Sequence, residues 1–177
     1  MSAATIISAL TLATVCVGGV WAYYRVIKRR EHAVRLDFRT SVNFVGVQDD
    51  KWLVSLDAHV NNEGLVKHEI TRFELELRCL LKNDHITTSP SLGGQVVVPH
   101  VLLNASWLPE DWQMTYIEPG LKTVYSFVSS VPVDASFVLL HGYLDYENGS
   151  HSAEVLAAVP PADAPQTVVS ASRAVRV

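Results

Sequence analysis

Hydrophobic positions follow two different periods along this chain. From Ala3 to Tyr24 the apolar run is continuous and carries no charged residue. At a helical rise of about 1.5 Å, about 22 residues reach roughly 33 Å, the depth of a bilayer core. This predicts one transmembrane helix. Trp21, Tyr23 and Tyr24 close the run and Arg25, Lys28, Arg29 and Arg30 follow at once, placing amphipathic rings at the headgroup level and cations just beyond it. No Lys or Arg precedes the run, so it lacks the basic start of a cleaved signal peptide. The positive-inside rule then places the N-terminus outside and the rest of the chain in the cytoplasm. The opposite orientation is the alternative, and the sequons at Asn104-Ala105-Ser106 and Asn148-Gly149-Ser150 would suit a lumenal domain.

Past Val34 the period drops to two, as in strands with one face buried. Val34, Leu36, Phe38, Val42 and Phe44 alternate with polar residues, and Gln48-Asp49-Asp50-Lys51 supplies a turn. Trp52, Val54, Leu56, Ala58 and Val60 form the next apolar row, ending at Asn61-Asn62-Glu63-Gly64. In a third strand Phe73, Leu75, Leu77, Cys79 and Leu81 face inward, while Arg72, Glu74, Glu76 and Arg78 form a solvated outer row. Glu118-Pro119-Gly120 reads as a type II turn, because Pro presets one central φ and Gly accepts the positive one. A strand is expected over Thr123–Val131. Phe137–Tyr146 and Ser152–Val159 flank Asn148-Gly149, a strong hairpin signal, and should pair antiparallel. Six or seven short strands without a convincing amphipathic helix predict an all-β antiparallel sandwich behind the N-terminal helix.

The strand ending Val60-Asn61-Asn62-Glu63-Gly64, the Glu118-Pro119-Gly120 turn before a Tyr/Phe-bearing strand and the late Tyr-rich strand resemble bacterial immunoglobulin-like adhesion or scaffold modules. The resemblance spans residues 34–159 and implies a fold, not an activity. The chain divides accordingly into an anchor with a basic cluster at 1–30, an immunoglobulin-like sandwich at 31–159, and a Pro/Ala-rich tail at 160–177. Membrane-anchored copper-delivery factors of cytochrome oxidase share the layout of one helix plus a sandwich. They depend on a Cys-x-Cys pair, and here Cys79 stands alone.

Composition narrows the chemistry. The 177 residues are 49% hydrophobic and 18% charged, with mean hydropathy +0.19, which excludes a disordered chain. A net charge of −4 speaks against nucleic acid, whose phosphates demand Lys and Arg. Cys16 and Cys79 can build neither a disulfide framework nor a zinc site. His32, His59, His68, His85, His100, His141 and His151 show no metal-ligand spacing, and no HExxH, CxxC or G-x-S-x-G occurs. Gly93-Gly94 lacks the Lys of a phosphate loop and reads as a turn or bulge. No enzyme activity, cofactor or metal is expected.

The irregular stretch 90–119 is long for a sandwich connection. Val96–Val98 and Val101–Leu103 could form edge strands, while Trp107 and Trp112 are either core residues or docking residues, Trp being common at interface hot spots. After Pro160-Pro161, the segment Thr167–Val177 is suited to lying on a partner, with Val168, Val175 and Val177 as contacts. The expectation is a non-catalytic accessory or stabilising subunit of a larger integral-membrane complex, photosynthetic or respiratory by analogy. Its partners would be protein subunits and the lipid bilayer. A tethered factor that meets its client transiently is the first alternative, and an enzyme with an unrecognised site the second.

Overall fold

A computed structural model describes residues 3–24, 35–109, 115–147 and 149–161. Helix α1 spans Ala3–Tyr23, with no acidic residue in its first turn and no basic residue in its last. Its described side chains are exposed on every side, Leu10, Val17 and Trp21 among them. The hydroxyls of Thr11 and Thr14 donate to the carbonyls of Ile7 and Leu10, at 2.9 and 3.0 Å, so these polar groups are satisfied within the helix. Among the described residues no helix is long and apolar enough to cross a membrane. The transmembrane expectation therefore rests on the sequence.

The rest is mostly β, in antiparallel sheets. Strand β1 (Leu36–Gln48) pairs with β2 (Lys51–Asn62). The turn between them has positive φ at both Asp49 and Asp50, the geometry that continues the right-handed twist of a tight hairpin. β3 (His68–Leu81) begins the second sheet. Its connection onward carries a two-residue hairpin, β4 (Thr88–Ser89) with β5 (Gln95–Val96), turned by a short 3₁₀ segment and by Gly93 and Gly94 at positive φ. Then come β6 (His100–Ser106) and β7 (Thr115–Ile117), which pair with successive parts of β3. β8 (Lys122–Pro132) returns to the first sheet beside β2, and β9 (Ala135–Tyr146) and β10 (Gly149–Ala158) complete the second. The strand orders are β1-β2-β8 and β10-β9-β3-β6.

The two sheets bury their apolar rows against each other. Trp52, Val54, Leu56, Ala58 and Val60 are all buried, as are Phe73, Leu75, Leu77 and Cys79 of the facing sheet. Phe73 holds the centre: its ring meets Phe38 of β1 at 5.9 Å, Tyr125 of β8 at 5.1 Å and Trp107 at 5.9 Å. These edge-on and tilted contacts suit the ring quadrupoles.

Three expectations shift in detail. A bulge at Val45, between the Phe44↔Val54 and Gly46↔Leu53 pairs, turns the phase of β1, so Val47 packs inward after Phe44. A second irregularity between Leu80 and Leu81 of β3 leaves Leu80 buried as well as Cys79. The β9–β10 hairpin closes with Tyr146 opposite Gly149, so Gly149 belongs to the strand. A Cβ on Gly149 would lie 2.7 Å from the Tyr146 hydroxyl, so a side chain there would push the end of the tyrosine ring aside.

Candidate functional site: the open side of the sandwich

The two long sides of the sandwich are built differently. On one side β1 packs along β10 and β9. The contact is close because Gly142 sits in the inward phase of β9: a Cβ there would come within 2.7 Å of Thr40 Cγ2 and 2.9 Å of Phe38 Cζ. On the other side β8 is the last strand of its sheet and, among the described residues, pairs with β2 alone. Among the described residues nothing pairs with the backbone donors and acceptors on the outer edge of β8.

Side chains on β8 share this incompleteness. Tyr125 and Phe127 point inward yet are only partly buried against the core. Val124 and Val128 point outward and are 49% and 70% exposed. Between Lys122 and Pro132 the strand has no charge and no proline, so the usual devices that blunt an edge stand only at its two ends. Burial raises the Tyr125 pKa, keeping its phenol neutral beside Phe73.

A buried amide fixes where β8 begins. The Asn62 side chain is fully enclosed; its Nδ2 donates to the carbonyls of Val66 and Ile117, at 2.8 and 3.1 Å, and its Oδ1 accepts from the Gly64 N–H at 3.0 Å. Its backbone N–H donates to Leu121 O and its carbonyl accepts from the Gly120 N–H. Gly120 has φ +72 and Leu121 N–H donates to Glu118 O at 3.1 Å, closing the expected Pro-Gly turn. One satisfied asparagine thus ties the ends of β2 and β7 to the entry of β8.

The sequence-derived docking residues fall in three places. Of the two readings of Trp107, core residue or docking residue, the structure has the core one and corrects the docking one: it is 6% exposed, its ring packs on Phe73, and its backbone N–H donates to Phe73 O at 3.0 Å. Burying the indole directly after β6 covers the end of the core. Trp21, Tyr23 and Tyr24 are exposed at the C-terminal end of α1. Trp112, Arg25, Lys28, Arg29, Arg30, Val168, Val175 and Val177 lie outside the described residues. Missed in the sequence were β8 as an unfinished edge and Gly142 as the seal of the opposite side. A glycine in the inward phase between Leu140 and Leu144 was the available signal.

Titratable groups elsewhere form supporting contacts. On the outer face of the second sheet, Arg72 pairs with Asp145 at 2.7 Å, Arg78 with Glu76 at 2.8 Å, and His141 Nδ1 lies 3.0 Å from both Glu154 and the Tyr143 hydroxyl. Desolvation, then the Glu76 and Glu154 charges, raise the Tyr143 pKa, so its phenol stays protonated beside His141 of the same strand, and it is the His141–Glu154 contact that joins β9 to β10. Burial, with Asp134 and Asp84 nearby, pushes the Cys79 thiol upward, which keeps it unreactive. Among the described residues no three His, Cys, Asp or Glu side chains converge to hold a metal ion.

No protein-family model matches the sequence, and no curated protein matches it. Solved structures are similar at a low level. A Bordetella pertussis protein given the ApaA name is 15% identical, with 72% of this chain and 95% of that one aligned and a TM-score of 0.46. Spo0M, a sporulation control protein from Bacillus subtilis, is 17% identical over 72% of this chain and 48% of that one, at a TM-score of 0.42.

Proposed function

We propose that this chain is a membrane-tethered, non-catalytic protein-binding module, serving as an accessory or stabilising subunit of a larger integral-membrane complex. Its immunoglobulin-like sandwich would dock through β8. The observation that carries the reading is the unfinished edge, with unpaired backbone beside half-covered Tyr125 and Phe127. An added strand would satisfy the backbone and cover both rings, which is how sheet edges recruit partners.

The tether is argued from the sequence of α1. It holds no charge over 21 residues, Thr11 and Thr14 bond to their own helix, Trp21, Tyr23 and Tyr24 stand at its end, and the basic cluster follows in the sequence. With the basic cluster inside, the sandwich faces the cytoplasm. Residues 36–172 carry seven Lys/Arg against 17 Asp/Glu, a balance that disfavours nucleic acid and the anionic leaflet and favours protein partners.

The test is purification of the full chain from its native membranes in a mild detergent. Constant stoichiometry with co-purifying subunits through gel filtration supports the subunit reading, and its loss in V124K/V128K places the contact on β8. Dissociation on dilution indicates a transient assembly factor instead. Turnover of a substrate abolished by one polar substitution, with the fold intact, would make the chain an enzyme. Protease added to right-side-out vesicles should leave the sandwich intact, and digestion without permeabilisation would reverse the topology.

A further inference from the structure

We infer that the strand completing the open edge is β8 of a second copy of this chain, paired antiparallel about Phe127. The inference rests on the reading of β8 as a docking edge and names the strand that fills it; the larger complex would then take up this chain as a pair, and V124K/V128K would release its subunits by splitting that pair. In an antiparallel pair, directly opposed side chains lie on the same face of the sheet. Only registers whose paired residue numbers sum to an even number keep inward residues opposite inward ones. Among these, centring on Phe127 overlaps the whole of Lys122–Pro132 with itself.

The strand is self-complementary in that register. Inward, Tyr125 of each copy meets Ser129 of the other, a large residue against a small one, and the two Phe127 rings meet at the symmetry axis. Outward, exposed Val128 lies opposite Ser126 and exposed Val124 opposite Ser130. Lys122, the one charge on the strand, lies opposite Pro132, so no like charges face each other. Shifting the centre to Ser126 would set Tyr125 against Phe127 and leave part of each strand unpaired. The pairing is isologous and closes after two copies, because each open edge is consumed. Its two-fold axis stands perpendicular to the sheet; aligned with the membrane normal, it keeps both anchors in one bilayer. Confinement to that bilayer raises the effective concentration of the second strand.

The test uses the full chain in detergent micelles, with Cys16 replaced by Ser to remove an exposed thiol. The detergent-corrected mass should be that of a dimer for this chain and of a monomer for V124K/V128K, whose added charges crowd the seam from both copies. Mild oxidation should link S126C/V128C and V124C/S130C into covalent dimers, because directly opposed positions fall within disulfide reach. V124C alone should stay unlinked, since its symmetry mate lies six residues along the strand. A monomeric mass at every concentration, or a dimer that survives V124K/V128K and does not link through either cysteine pair, overturns the inference. If the chain is monomeric while V124K/V128K still releases co-purifying subunits, the docking edge stands and only its partner was misassigned. If the dimer behaves as stated but those subunits stay bound to V124K/V128K, the dimer stands and the edge is not where the complex docks.

Discussion

The two long sides of this sandwich solve the same problem in opposite ways. Where β1 runs along β10 and β9, Gly142 gives up its side chain so that Phe38 and Thr40 can press onto the facing sheet. Where β8 ends its sheet, nothing described presses back, and Tyr125 and Phe127 stay half covered. Both sides carry long β-rich strands, so propensity does not separate them. What separates them is whether neighbouring backbone comes close enough to exclude water. The closed side therefore belongs to the stability of the fold, and the open side is free to serve binding.

The strongest way to break the comparison is to remove the residue that joins the two sides. Phe73 touches Phe38 on the closed side and Tyr125 on the open side. Phe73→Ala should cost about 3–5 kcal/mol and raise hydrogen exchange in β1 and β8 together. Loosening of one strand alone, by exchange mass spectrometry, would mean the sides are not coupled through this ring. Trp107→Ala should approach the same cost, because its indole packs on Phe73; a change below about 0.5 kcal/mol would return Trp107 to the surface.

Next in size is the seal itself. Gly142→Val forces a branched side chain into a space where even a Cβ would collide with Thr40 and Phe38. A loss of about 1–3 kcal/mol is expected from overpacking, seen as a lower denaturation midpoint at unchanged slope. Asn62→Leu should fall in the same range, because the carbonyls of Val66 and Ile117 and the Gly64 N–H lose their partner inside the protein. By contrast V124K/V128K on the open side should leave the stability of a single copy, measured dilute enough to keep copies apart, within about 0.5 kcal/mol, since both side chains face solvent in one copy. If the lysine pair destabilises the single copy as much as Gly142→Val, another part of the same chain already covers β8 and the contrast between the sides disappears.

The inward rows of β2 and β3 were legible because period two and burial are the same fact seen locally. Turns at Asp49-Asp50 and Pro119-Gly120 were legible because positive φ leaves few residue choices. What escaped depends on residues far apart in sequence. Asn62 reads as one more turn residue until Ile117 and Val66 arrive beside it, and Trp107 reads as exposed or buried alike until Phe73 is placed. In the hairpin Gly149 is a strand residue paired with Tyr146, and the tyrosine ring lies over its bare backbone, a contact that the Asn-Gly turn signal does not announce. An unfinished edge leaves no local signature at all, since Val124–Val131 alternates as a covered strand would.

The smallest expected effect lies off both sides, at the far end of β3, and tests whether an exposed polar contact adds to the fold at all. Asp84 accepts the Leu81 N–H at 2.8 Å and lies 3.0 Å from His100 Nε2. The Leu81 hydrogen bond first, and His100 second, hold its carboxyl below the usual range. A carboxylate with a lowered folded pKa contributes stability that is present above its unfolded pKa and is lost as pH falls through the folded value. Asp84→Asn should therefore be slightly less stable than the parent at neutral pH, and the difference should close in acid once the parent carboxylate is protonated. Because the pair lies at the surface, with the His100 side chain 45% exposed and that of Asp84 23% exposed, water and salt screen the contact and the effect should shrink further at high ionic strength. Thermal denaturation of both chains across that pH range measures it. A difference that persists unchanged in acid would assign the role of Asp84 to the shape of the Leu81–Asp84 turn and not to its charge.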